Sequence, residues 1–138
     1  MIIYVDIDET ICTLQKPTAD CLFGHGDYKL AKPLYRRIAK INQLYYEGHR
    51  IIYWTARGTV TGLDWREVTE NQFKEWGVKY HSLQFGKPNY DIFIDDKNIS
   101  SERFFNDVDK RIKRPSLWRR HLDNCIRFIT ELYRSIFL

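Results

Sequence analysis

Four short β-like runs punctuate the first hundred residues, at 2–6, 50–55, 79–83 and 91–95, and all but the third end in a polar group. Between the first two, Leu34, Ile38, Ile41, Leu44 and Tyr45 recur at helical spacing, which predicts a helix over residues 30–47 that Gly48 stops. Between the second and third, Trp65, Val68, Phe73 and Trp76 form one apolar side of a helix predicted over residues 64–76 and closed by Gly77. Strands that alternate with helices pair in parallel through right-handed crossovers, so the pattern predicts an α/β fold, a Rossmann-like parallel sheet flanked by helices.

The stretch 13–28, with Pro17, Gly24 and Gly26, lacks a steady period and reads as a loop or small flap. A shorter helix and a polar connection are expected over residues 100–114. Pro115 then opens a long amphipathic helix, residues 115–137, with Trp118, Leu122, Ile126, Ile129 and Tyr133 opposite Arg119, Arg120, Arg127 and Arg134. Such a stripe covers the sheet or joins a second copy, so a homo-oligomer through this helix is one expectation; a membrane-surface role ranks behind both.

Length narrows the organisation, since 138 residues suit one domain, residues 1–138, and leave no room for a second. Only about forty residues separate Asp8 from Arg50, and a helix takes much of them, so no full cap domain is expected. A hydrophobic fraction of 43% with 29% charged residues excludes a disordered chain. The net charge of +4 suits an anionic ligand, but no dense Lys/Arg face marks a dedicated nucleic-acid binder. Cys12, Cys21 and Cys125 are odd in number and lack C-x-x-C spacing, which argues against a disulfide framework or a zinc site. With no basic leader and no apolar stretch of membrane-span length, the expected location is the cytoplasm. His25 and His81 carry no evident role; His25, in the flap, is expected to be solvated, with substrate contact as the alternative.

The chemistry is concentrated where the runs end. The first delivers Asp6 and Asp8, one residue apart, to the carboxyl edge of the sheet, where open α/β proteins place their sites. In an uninterrupted strand both would point to one side, and two ionised carboxylates so close are relieved by a divalent cation, which suggests magnesium. The second run ends in Thr55-Ala56-Arg57-Gly58; the fourth ends in Asp95-Asp96-Lys97-Asn98 and is preceded by Gly86-Lys87-Pro88. As strand-end caps, turns or plain β threonines, each group has a structural explanation when taken alone.

In this order, D-x-D-E-T, T-A-R-G and F-G-K-P-x-Y-D-x-x-I-D-D-K-N resemble the motifs of the haloacid-dehalogenase (HAD) superfamily of phosphohydrolases, over residues 1–98. The form is most similar to the minimally capped phosphatases of capsular polysaccharide biosynthesis. The resemblance implies that Asp6 is the nucleophile of an aspartyl-phosphate mechanism and Asp8 the general acid and base. It implies that Thr55 and Lys87 bind the phosphoryl group and that Asp6, Asp8 (through its carbonyl), Asp95 and Asp96 form the magnesium site. Lys79 and Lys97 compete for the role of Lys87. Arg57 is expected either on a substrate phosphate or hydroxyl, or in a surface salt bridge.

The expected substrate is a small phosphorylated molecule, a sugar or polyol phosphate. A phosphatase for nucleic-acid 3' ends or phosphoproteins is the enzymatic alternative, although stacking and basic clusters are missing near the motifs. A catalytically silent binding or assembly module is the alternative of another class, disfavoured because every acid the mechanism needs is present.

Overall fold

A computed structural model describes residues 1–14 and 27–110 of the chain. The chain divides into two units, Met1–Phe105 and Asn106–Leu138. The first has an α/β architecture built on a parallel three-stranded sheet flanked by helices. In the second, the described residues Asn106 to Lys110 complete a helix begun in the first; the expected 115–137 helix lies outside the described residues.

Strand β1 (Ile2–Val5) is followed by two short strands, β2 (Cys12–Thr13) and β3 (Lys32–Pro33), then by helix α1 (Tyr35–Tyr46) and strand β4 (Arg50–Trp54). Helix α2 (Arg66–Trp76), strand β5 (Ser82–Gln84) and helix α3 (Ser101–Lys110) complete the described chain. The sheet order is β1-β4-β5, parallel throughout, with Ile3 beside Ile51 and Tyr53 beside Leu83. β2 and β3 pair antiparallel as a separate ribbon. Ile51, Ile52 and Tyr53 are buried in succession in the central strand, as a strand covered on both sides requires. α1 packs against β4 through Ile38 and Ile41, the innermost positions of its predicted stripe.

Three boundaries differ from those expected. The helix predicted from residue 30 begins at Tyr35, because Leu30 closes a 3-10 turn (Tyr28–Leu30) and Pro33 holds its neighbours extended within β3. The third strand starts at Ser82 rather than at residue 79: the backbone N–H of Lys79 donates to Asn42 Oδ1, and Val78 still bonds back to Phe73 of α2. The fourth run, residues 91–95, is not a strand. It pairs with nothing in the sheet, and Ile92 and Ile94 are 78% and 93% exposed. Alternating apolar residues specify two faces but no partner, and without a neighbour's backbone the pattern does not become a strand.

Gly77 ends α2 in the left-handed conformation (φ 68°), as its position predicted. Gly58 is under tighter constraint. Its φ is 80°, and a Cβ there would come within 2.1 Å of the Leu63 carbonyl oxygen, so only glycine fits the turn that leaves β4. No helix of the described residues is long and apolar enough to cross a membrane.

Candidate active site

β1 stops at Val5, and the chain turns sharply at once. The Ile7 carbonyl accepts from the backbone N–H groups of Thr10, Ile11 and Cys12, and Glu9 adopts a positive φ of 56°. Because of this turn the strand alternation does not run through Asp8, contrary to the expectation that Asp6 and Asp8 continue one strand face. Asp6 stays at the strand end while Asp8 forms a bridge with Cys12 at the root of the β2–β3 ribbon. That ribbon frames the predicted flap; residues 15–26, including His25, lie outside the described residues.

Two basic side chains divide the two acids between them. Lys87 Nζ lies 3.2 Å from Asp6 Oδ1. The lysine is set by its own backbone, whose N–H donates to the Thr55 carbonyl at 3.1 Å while its carbonyl accepts from Thr59 Oγ1 at 2.9 Å. The chain leaving β5 thus crosses the end of β4 to reach β1, turning at Gly86 with φ 79°. Lys79 and Lys97 make no such contact with Asp6: Lys79 is exposed beside α2, and the Lys97 backbone N–H donates to Asp95 Oδ1. Burial raises the Asp6 carboxyl above the usual aspartate range, and the neighbouring Lys87 only partly offsets it.

Asp8 pairs with Arg57. Nε donates to both carboxylate oxygens at 3.2 and 3.0 Å, and Nη2 donates to Oδ1 at 2.7 Å. The Arg57 side chain is fully buried. Of the two expectations for Arg57, the salt bridge forms, in the interior rather than at the surface. Thr55 is also fully buried; its hydroxyl accepts the Arg57 backbone N–H at 3.1 Å and so shapes the turn after β4. The repulsion that suggested a divalent cation is thus offset in part by one cationic side chain for each acid.

Asp95 and Asp96 are exposed in a turn, with Asp95 Oδ1 accepting the Lys97 N–H at 2.6 Å, a local Asx arrangement. Among the described residues no three His, Cys, Asp or Glu side chains gather as a metal-ligating group. The expected magnesium ligands are therefore not brought together in this arrangement: Asp6 and Asp8 stand at the sheet end, and the second acid pair stands apart.

Sequence reasoning missed the residues around Arg57. Its Nη1 donates to Thr69 Oγ1 at 3.1 Å and Gln72 Oε1 at 2.7 Å, both on α2, and its Cζ lies 4.9 Å from the centre of the Tyr28 ring. The signal was present: Thr69 and Gln72 sit three apart on the face of α2 that carries Phe73 and Trp76, where a polar residue needs a buried partner. Cys12 is buried with its Sγ 3.5 Å from Asp8 Oδ1.

These features define an α/β protein with paired acids and bases at the carboxyl ends of adjacent parallel strands. No protein-family model matches the chain, and no curated protein matches it. The chain is similar to a crystal structure of an MCSG target from Vibrio cholerae, with 23% identity, a TM-score of 0.60 and coverage of 75% of this chain and 85% of that one. At this identity the likeness concerns the fold.

Proposed function

We propose that the protein is a phosphate monoester hydrolase of the HAD type, acting through an aspartyl-phosphate on a sugar or polyol phosphate in surface (capsular) polysaccharide biosynthesis, in the cytoplasm. The observation that carries the reaction class is Asp6 at the end of β1 with Lys87 Nζ at 3.2 Å, and a second acid, Asp8, two residues on. The substrate class rests on the sequence resemblance alone.

In this reading Asp8 enters the first step as the carboxylic acid, taking up a proton against the pull of Arg57 toward its ionised form; the Asp6 carboxylate attacks phosphorus, the bond to the leaving oxygen breaks, and that oxygen takes the Asp8 proton and leaves as the alcohol. Water then attacks the aspartyl-phosphate, Asp8 accepts its proton, and phosphate departs as the Asp6 carboxylate is restored. Lys87 neutralises charge where the phosphoryl oxygens gather and holds Asp6 in place. Burial makes ionisation of Asp6 less favourable than in water, and the nearby Lys87 ammonium works against that effect, in favour of the carboxylate form that attacks.

Magnesium is part of the proposal as the cofactor, with Asp6 as its first ligand. Its chemistry would be to lower the repulsion between carboxylate and phosphoryl oxygens. Because Asp95 and Asp96 stand away from Asp6, no step here runs through the ion.

The test is phosphate release, with and without magnesium, from sugar, polyol, nucleotide and phosphopeptide monoesters and from 3'-phosphorylated DNA. Asp6→Asn is expected to lower turnover at least about a thousandfold on every substrate the wild type accepts. Retained activity in that variant rules out Asp6 as the nucleophile. Preference for DNA ends or phosphopeptide replaces the carbohydrate reading, and silence across the panel together with binding of a partner protein favours the non-catalytic module.

A further inference from the structure

Arg57 has five N–H groups to place, and the fold places all of them. Nε and one Nη2 hydrogen go to Asp8, the other Nη2 hydrogen faces Cys12 Sγ at 3.8 Å, and Nη1 serves Thr69 and Gln72. Nothing remains with which to grip a substrate. A guanidinium completely removed from water and committed to one carboxylate has a different use, which is to set where that carboxylate stands.

We infer that Arg57 is the positioning residue for Asp8, and that α2 and the Tyr28 turn hold Arg57 in that task. This rests on the phosphatase reading, in which Asp8 handles the proton of the leaving oxygen. Thr69 and Gln72 hold the far side of the fork. Gln72 in turn donates through Nε2 to the Tyr28 carbonyl at 2.6 Å, and the Tyr28 ring, braced edge-on by Trp65 at 5.0 Å, covers the guanidinium face. The chain returning from the flap therefore touches the same group that fixes Asp8. Asp8 is consequently set by residues from five segments: its own turn, β2, the Tyr28 turn, the turn after β4, and α2. A lysine at position 57 could not serve these partners, because an ammonium is a point donor without the planar fork.

The distinguishing experiment measures kcat/KM for an alkyl phosphate and for an aryl phosphate with a good leaving group, in wild type, Arg57→Lys and Gln72→Met. An alkoxide needs a well-placed proton donor and a stable phenolate does not. With Arg57→Lys the alkyl ester is expected to lose roughly a hundredfold and the aryl ester less than about tenfold. Gln72→Met, which keeps the volume but removes the prop, is expected to follow the same asymmetry with a smaller loss of about tenfold.

Equal losses on both esters in both variants would reduce Arg57 to a structural residue and overturn the assignment. The pair itself is read without activity, from the Arg57 Nε–H resonance, expected to be protected from exchange and shifted by Asp8→Asn. A resonance that ignores Asp8→Asn overturns the pairing. A wild type that hydrolyses neither ester while the resonance responds refutes the phosphatase reading and, with it, the catalytic purpose given to Arg57.

Discussion

The ends of β1 and β4 and the segment around residues 91–96 are written in the same language, an apolar run that closes on acids or a hydroxyl, yet they fold to opposite outcomes. At the first, Val5, Ile51 and Tyr53 are buried, and the polar groups beyond them are each bound to a named partner. At the second, Ile92 and Ile94 face solvent and the two acids stand in an open turn. What separates them is not composition. It is that β1 and β4 share a hydrogen-bonded register from Ile2 beside Arg50 to Val5 beside Tyr53, whereas residues 91–95 share one with nothing in the sheet. A strand-end site is ordered by the neighbour that carries it.

The most severe way to break this contrast is to remove the buried cation. Arg57→Leu strands the Asp8 carboxylate beside apolar atoms and is expected to cost about 3–5 kcal/mol of stability, measured by urea unfolding. Adding Asp8→Asn should recover part of the loss, since the orphaned charge goes with it. A loss no larger than a surface substitution would mean that the pair contributes no more than an exposed one.

A smaller effect follows from Asp6, measured in chelator so that metal does not intervene. Its carboxyl titrates higher in the folded chain than in the unfolded one, so the folded state holds the proton longer. The associated stability is present at low pH and is lost as pH rises out of the usual aspartate range and through the raised one. Asp6→Asn cannot lose it. The variant should gain on the wild type as pH rises across that window, and a gap that stays level with pH contradicts the burial effect.

The smallest expected change lies in the exposed segment. Ile92→Ser with Ile94→Ser should alter stability by less than about 0.5 kcal/mol, whereas Ile51→Ala in β4 should cost about 2–4 kcal/mol. Similar losses for the two would show that residues 91–95 are covered in solution.

The sequence was most legible where one element could be read without its neighbours. Helical stripes, the glycine stops and the two βαβ steps all follow from local periodicity, and α1, α2 and the parallel order of β1, β4 and β5 match them. Asp6 and Lys87 were visible from motif context, and they meet. Arg57 was misplaced because an arginine read alone defaults to the surface. Its burial depends on Thr69, Gln72 and Tyr28, which lie 12, 15 and 29 residues away in the chain and carry no motif of their own. The segment 91–95 failed for a related reason, since β pattern states a capacity to pair and not a partner.

Cys12 has a use outside catalysis. Burial, together with the Asp8 carboxylate, keeps its proton bound far above the ordinary thiol range, so in the closed state it is both shielded and chemically dull. Alkylation can proceed only when the root of the β2–β3 ribbon opens and lets the thiol ionise. In a chain with Cys21→Ser and Cys125→Ser, the labelling rate of this one sulfur becomes a clock for that local opening. The protein thus carries, 3.5 Å from its candidate acid, its own gauge of how often the site comes apart.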